Sequence, residues 1–456
     1  MRDSHCNGDG GPSRPFILLG LAQAAVYVVT ATGLTSPDRV QAALVAALLA
    51  FTLYAAAIPR ARRLAGRRYL LTTLALGLFF RACFFFQEPL LSDDFFRYLW
   101  DGLVHWHGIN PYQYAPADPA LAGIADALRA RVNHPTVLSI YPPLAQLAFA
   151  AAAIAGGGWL ALKAIWLACD LGIALVLSRL VPGDRRLQAL TIYWWSPLVV
   201  IEVAWNAHLD LLGVLPLVLA LLLARHPGRN ALGLGAALAA AALVKYFALL
   251  LVPAAGRLAR PGRVAAVFAI LVLASYAPYI SAGGDVFAGL ITYAESWRFH
   301  AGIFSLLNWL VGSPALAKLI AAAAVGLLCL QSVRNEWTLE RAAVWITGAI
   351  LVLSPTLHPW YLLWMVPLIA LAPNRAWLYL TGSILLAYYG LPTFQAEGVW
   401  PEPWWIKLAI YAPFFALLIA DSWRSSWWQA AWEEIRTERG ARARSEPPPG
   451  SQPPPH

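Results

Sequence analysis

The stretch SDDFFRYLWDGLVHWHGINPYQYAP, Ser92 to Pro116, gathers acids, an arginine and histidines in a chain that is otherwise almost wholly apolar. Read as a helix capped by Ser92, it sets Asp93, Arg97 and Asp101 at i, i+4 and i+8, on one face, with Asp94 beside the first. Phe95, Phe96, Leu99, Trp100 and Leu103 make the other face, a pattern suited to a helix lying at a membrane surface. Carboxylates held this way can take a proton or hold a cation. Acid-rich helix starts are also common as solvated caps, and spacing alone leaves both readings open.

What surrounds the stretch settles the class. Of 456 residues 59% are hydrophobic and 12% charged, where a soluble chain carries about a quarter charged. Runs of about 18 to 22 apolar residues recur from end to end. The expected fold is therefore all-α, a polytopic integral membrane protein with about 12–14 spans and a large helical first outer loop. The net charge of +9 comes largely from arginines between apolar runs, Arg60, Arg62, Arg63, Arg67 and Arg68 above all, which marks a cytoplasmic face. No compact basic patch with stacking aromatics appears, which argues against a nucleic-acid partner. Cys6, Cys83, Cys169 and Cys329 are scattered and form neither a metal-ligand spacing nor a disulfide framework.

Spans are expected at 16–35, 39–58 and 69–87, after a cytoplasmic segment 1–15. That order puts the loop 88–139, with its acids, on the extracytoplasmic side of the membrane. Gly108-Ile109-Asn110-Pro111 must break the first loop helix, and a second is expected over Pro119 to Arg131. Further spans are expected at 140–156, 159–180, 187–205, 207–224, 231–252 and 264–281, then 314–331, 341–357, 359–373, 376–391 and 405–421. Simple counting leaves some of Arg185, Arg186, Arg225 and Arg229 outside, against the charge rule. Two half-helices over Ala231 to Ala255 would repair part of that conflict. From 422 the chain reads as an interfacial helix carrying Trp423, Trp427, Trp428 and Trp432, then a disordered Pro-rich tail to 456.

An ionisable group inside an apolar run is costly, which makes each one a candidate. Asn206, His208 and Asp210 in WNAHLD are either a hydrogen-bonded loop cap or ligands. Lys245 in ALVKYFALL suits a lipid-linked phosphate as a point charge with three donors, or snorkels to the interface. Arg81 can snorkel or meet an anion. His358 is a cap or a substrate contact, and Tyr141 and Trp360 read as packing residues or sugar platforms.

In order, SDDFFRYLWDG, GINPY, NHP, YPP, NAHLD and VKY resemble the GT-C superfamily of polytopic glycosyltransferases. The likeness is strongest to bacterial polyprenyl-phosphate-mannose-dependent mannosyltransferases and the GPI mannosyltransferase catalytic subunit. It covers roughly residues 69–400, within a catalytic domain 69–421, with the spans and basic loop of 16–68 as additions. The resemblance implies transfer of a hexose, mannose first, from a polyprenyl-phosphate donor to an envelope glycan or lipid acceptor, with inversion. By motif position it makes Asp93 the general base and Asp94 its partner or a metal ligand. Lys245, then Arg81 and Arg298, would meet the leaving phosphate, and Arg97, Asp101, Asn110, Tyr112, His134, Tyr141, His208, Asp210 and His358 would line the substrate site. No cofactor is implied for certain, and a divalent cation on Asp93 and Asp94 stays open. Many relatives show Asp-X-Asp, whereas adjacent residues on a helix diverge by about 100°. A transporter or lipid-linked sugar flippase is the alternative, but it predicts paired halves with matching broken helices, and none is visible. A non-catalytic scaffold would leave the acidic cluster dispensable.

Overall fold

The computed structural model describes residues 13–33, 39–156, 158–258 and 260–423. Most of the expected N-terminal segment, and the tail with its tryptophans beyond 423, lie outside the described residues. Among those described, everything regular is helical apart from one isolated bridge between Phe299 and Thr356.

Seven helices are long and apolar enough to cross a membrane: Ser13–Gly33, Arg39–Ala61, Arg67–Phe85, Trp159–Leu180, Pro261–Ser296, Pro314–Arg334 and Trp404–Asp421. The pair Arg186–Trp194 and Pro197–Trp205, bent by 41° at a Ser-Pro break, makes an eighth. Other expected spans appear as shorter apolar helices, Leu211–Leu223, Asn230–Ala242, Tyr246–Leu258 and Pro359–Leu371. Length alone therefore supports fewer crossings than the 12–14 expected, and the remainder depends on these shorter pieces.

One expected crossing does not cross. Pro143–Ile154 packs along the acidic helix Asp94–Trp106. The next helix, Trp159–Leu180, starts where Arg67–Phe85 ends, because Lys163 Nζ donates to the carbonyls of Phe84 (3.0 Å) and Gln87 (2.6 Å). Phe84 is in the last turn of Arg67–Phe85 and Gln87 lies just past its end. The chain thus leaves and re-enters at one end of the bundle. This moves Arg179 and Arg186 to the other end, where Arg225 Nη1 donates to the Arg179 carbonyl at 3.3 Å. Arg39–Ala61 fixes the sense of both ends, with Arg39 at the acidic cavity and Arg60 to Arg63 at its far terminus. Of the arginines that counting misplaced, Arg186 and Arg225 consequently gather at one end with Arg179.

The half-helix alternative for 231–255 is the one observed. Pro227–Ala242 stops, Lys245 is extended at φ −144°, ψ 125°, and a tight helix resumes at Tyr246. Leu243, left without a helical partner for its carbonyl, is met by the Leu144 N–H at 3.1 Å. An unwound turn inside a bundle requires such a partner.

Arg81 neither snorkels nor faces a ligand. It is 2% exposed and forms a two-pronged pair with Asp170 (2.5 and 3.1 Å), which Tyr193 also holds at 2.7 Å. The first two helices belong to the same core. Phe16 stacks on Trp195 at 4.8 Å, Gln23 donates to the Trp195 carbonyl and Tyr54 to that of Ile192. Cys83, Cys169 and Cys329 are free thiols.

Candidate active site

The acidic helix starts one residue later than the sequence suggests, at Asp94, with Asp93 at the N-cap position. Its apolar face does not lie on lipid, since Phe95, Phe96, Leu99 and Trp100 are buried within the protein. Gly102 allows the close crossing with Pro143–Ile154, as a Cβ there would stand 2.2 Å from the Phe149 carbonyl oxygen. The register is then fixed by polar contacts. Arg97 pairs with Asp101 at 2.8 Å, and Asp101 accepts from Ser139 (2.5 Å) and Gln146 (3.3 Å). The predicted i, i+4 pair is thus real, but Asp93 takes no part in it.

Asp93 and Asp94 instead face a cavity of about 600 Å³ and share one partner. Asn133 Nδ2 donates to Oδ1 of Asp93 at 2.8 Å and to Oδ1 of Asp94 at 3.1 Å. Neither carboxylate forms an ion pair among the described residues. Asp93 is open to the cavity, yet protein surrounds it. Burial raises its carboxyl pKa above the ordinary value, the neighbouring Asp94 charge adds to the rise, and the Asn133 N–H opposes it.

The cavity brings together eight of the residues nominated by sequence: Asp93, Asp94, Arg97, His134, Tyr141, Lys245, Arg298 and His358. Lys245 Nζ sits 4.0 Å above the Tyr361 ring and pairs with Asp210 Oδ1 at 2.5 Å, which Trp364 Nε1 also contacts at 2.8 Å. Lys245 is therefore a held cation, with donors left over. Arg298 is exposed at the rim and reaches no acid among the described residues. His134 meets Trp297 edge-on, their ring centres 4.6 Å apart.

The other five nominated residues do not line the cavity. Asp101 is consumed by the helix register just described. Asn110 ties its loop to Tyr279 and Ser281 (3.1 and 3.0 Å), and Tyr112 is fully buried, its hydroxyl on the Tyr141 carbonyl at 2.6 Å. Asp210 holds Lys245 from behind. His208 is also fully buried, with Nδ1 2.8 Å from Glu202 Oε2 and Nε2 3.1 Å from Ser92 Oγ. It begins a column of rings, His208 on Trp360 (4.0 Å), Trp360 on His358 (4.3 Å) and His358 on Phe299 (4.3 Å).

Sequence reasoning passed over Asn133, Glu202, Tyr361 and Arg39 as site residues. Asn133 stood in the NHP motif, and Glu202 was a lone carboxylate in an apolar run, a signal in its own right. For a cation, no group of three or more His, Cys, Asp or Glu side chains converges among the described residues. Asp93 and Asp94 present an N–H between them rather than a third oxygen.

A cavity inside a helical membrane bundle, bringing a carboxylate couple together with lysine, arginine and stacked rings, suits a membrane-embedded glycosyltransferase. The family model of the alpha-(1->6)-mannopyranosyltransferase N-terminal domain matches residues 18–260, more than half of the chain, and the chain belongs to that family. It is thus a mannosyltransferase of the GT-C type, rather than a transporter or scaffold. The match begins inside the first helix, so the two leading helices fall within the family's own domain. No curated protein and no solved structure matches the chain.

Proposed function

We propose that the chain transfers a mannosyl group from a polyprenyl-phosphate donor to a hydroxyl of an envelope glycan or lipid, on the extracytoplasmic face of a bacterial cytoplasmic membrane. One observation carries the reading. The Asp93–Asp94 couple, which forms no ion pair among the described residues, shares a single cavity with Lys245 and Arg298. Base and leaving-group partner therefore stand around one space, within the usual size range of small-molecule sites.

In this reading Asp93 takes the proton of the acceptor hydroxyl as its oxygen attacks the anomeric carbon. The bond from that carbon to the phosphate oxygen breaks, and the oxygen leaves with both electrons. Its charge meets Lys245, fixed by Asp210, and Arg298 at the rim. One displacement inverts the anomeric centre. Burial and Asp94 make Asp93 a stronger base than an ordinary aspartate, which favours proton transfer near neutral pH. Trp297 and Tyr361 offer aromatic surface to the sugar. A divalent cation between the two carboxylates would need the Asn133 amide to turn its oxygen inward, and no step above uses one.

The test is transfer by purified protein in lipid, with radiolabelled polyprenyl-phosphate mannose and a pool of envelope acceptors. Asp93→Asn should reduce transfer about 10²- to 10⁴-fold, the usual contribution of a general base, with donor binding retained. Wild-type transfer by Asp93→Asn would remove Asp93 as the base.

A further inference from the structure

Behind the carboxylate couple lies a buried chain of polar groups that the transfer step does not touch. Glu202, Asn206 and His208 are all fully buried, in and just after a π-helical turn, Val200–Trp205. Such turns are rare and are often retained at functional sites. The Tyr388 hydroxyl donates to both oxygens of Glu202 at 3.0 Å, and Asn206 Nδ2 approaches at 3.5 Å. Asn206 Oδ1 in turn accepts the Leu91 N–H at 3.1 Å, one residue before Ser92. Glu202 faces His208 Nδ1 at 2.8 Å, and His208 Nε2 reaches Ser92 Oγ at 3.1 Å. Ser92 Oγ accepts the Asp94 N–H at 3.3 Å.

The last contact matters because of what Asp93 does not do. An aspartate at an N-cap ordinarily turns its carboxylate back onto the first free N–H groups of the helix. Asp93 occupies that position without a side-chain cap bond. Ser92 Oγ instead holds the turn at the Asp94 N–H, and the Asp93 carboxylate is turned to the cavity and Asn133. A hydroxyl that accepts from Asp94 N–H still has one proton to give. It can give it to His208 Nε2 when the imidazole carries its own proton on Nδ1, the nitrogen that lies 2.8 Å from Glu202 Oε2. The Trp360 ring, stacked at 17°, fixes the imidazole plane.

We propose that Glu202 and His208 are positioning residues for the carboxylate couple, acting through Ser92, whose hydroxyl keeps Asp93 from capping its own helix. This rests on Asp93 being the base, as argued above. Removing the Ser92 hydroxyl leaves the Asp94 N–H unheld, so the turn relaxes and the Asp93 carboxylate is free to take the usual N-cap bonds, at the Phe95 or Phe96 N–H. That draws the base out of the cavity and places it at the positive end of a helix.

The experiment measures kcat, donor KM and the pH profile of transfer for wild type, Asp93→Asn, Ser92→Ala, Ser92→Thr, His208→Ala, His208→Gln and Glu202→Gln. Ser92→Ala should lower kcat roughly 10- to 100-fold, as misplacement of a reacting group does, while donor KM stays within about twofold. Its acid limb should move to lower pH, because a capping carboxylate is easier to ionise. Ser92→Thr keeps the hydroxyl and should restore kcat, and His208→Gln should retain more kcat than His208→Ala. The Ser92 pair carries the test if the buried substitutions fail to fold, since it leaves Glu202 and His208 in place. An inactive Asp93→Asn alongside Ser92→Ala with wild-type kcat and an unmoved acid limb overturns the inference alone. A loss in Ser92→Ala that Ser92→Thr does not restore also overturns it. Wild-type rates in Asp93→Asn overturn the reading of the base itself.

Discussion

The rise in the Asp93 pKa has a direct kinetic signature. Transfer needs the carboxylate form, so kcat/KM should fall as pH drops through a value above the usual aspartate range, and hold on its alkaline side. Asn133 is the adjustable part. Its N–H bonds favour the charged form of both acids, so Asn133→Leu should raise the Asp93 pKa further. The acid limb would then shift to higher pH, the opposite sense to Ser92→Ala. An acid limb that stays put or moves down in Asn133→Leu contradicts this assignment. The acidic residues themselves were legible in the sequence, because acids next to an apolar run stand out. Their partners were not. Asn133 lies 39 and 40 positions away, His208 lies 116 positions from Ser92, and no local spacing encodes such distances.

For the acidic helix, the close crossing at Gly102 is the constraint on position. Gly102→Ala would press a methyl group against the Phe149 backbone, which cannot rotate away as a side chain could. The expected cost is about 1–3 kcal/mol, typical of overpacking, read as a lower thermal unfolding temperature in detergent. Unchanged stability would mean that the two helices can separate freely. Sequence periodicity placed this helix to within two residues and found its Arg97–Asp101 pair. It misjudged the apolar face, because burial under a neighbouring helix and burial in lipid select the same residue types. Pro143–Ile154 was misjudged for a related reason. Its composition suits a span, and it is the Lys163 contact, which starts the next helix at the end where Arg67–Phe85 stops, that argues against a crossing.

Across the whole molecule, the turn-back at Pro143–Ile154 makes a prediction about sidedness. In a background without the native cysteines, a thiol at Gly183 should react with an impermeant reagent from the same side as one at Arg63. A thiol at Ala122 should react from the opposite side. All three positions are exposed. Labelling of positions 183 and 122 from one side would restore the crossing that the structure removes. The charge pattern of the sequence already pointed toward this arrangement, since counting spans by hydropathy conflicted with it. What the sequence lacked was the Lys163 contact that places two helix ends side by side. Class, helical architecture and family were thus legible from composition and ordered motifs. The long-range polar bonding that positions each group had to come from the structure.

The ring column His208–Trp360–His358–Phe299 joins loops that lie far apart along the chain. Stacked rings resist compression, so the column behaves as a strut. One of its ends, Phe299, is at the cavity wall, and the other, His208, lies 3.1 Å from Ser92. Trp360→Ala would take out its middle and leave a gap between those loops, so thermal stability and transfer should fall together.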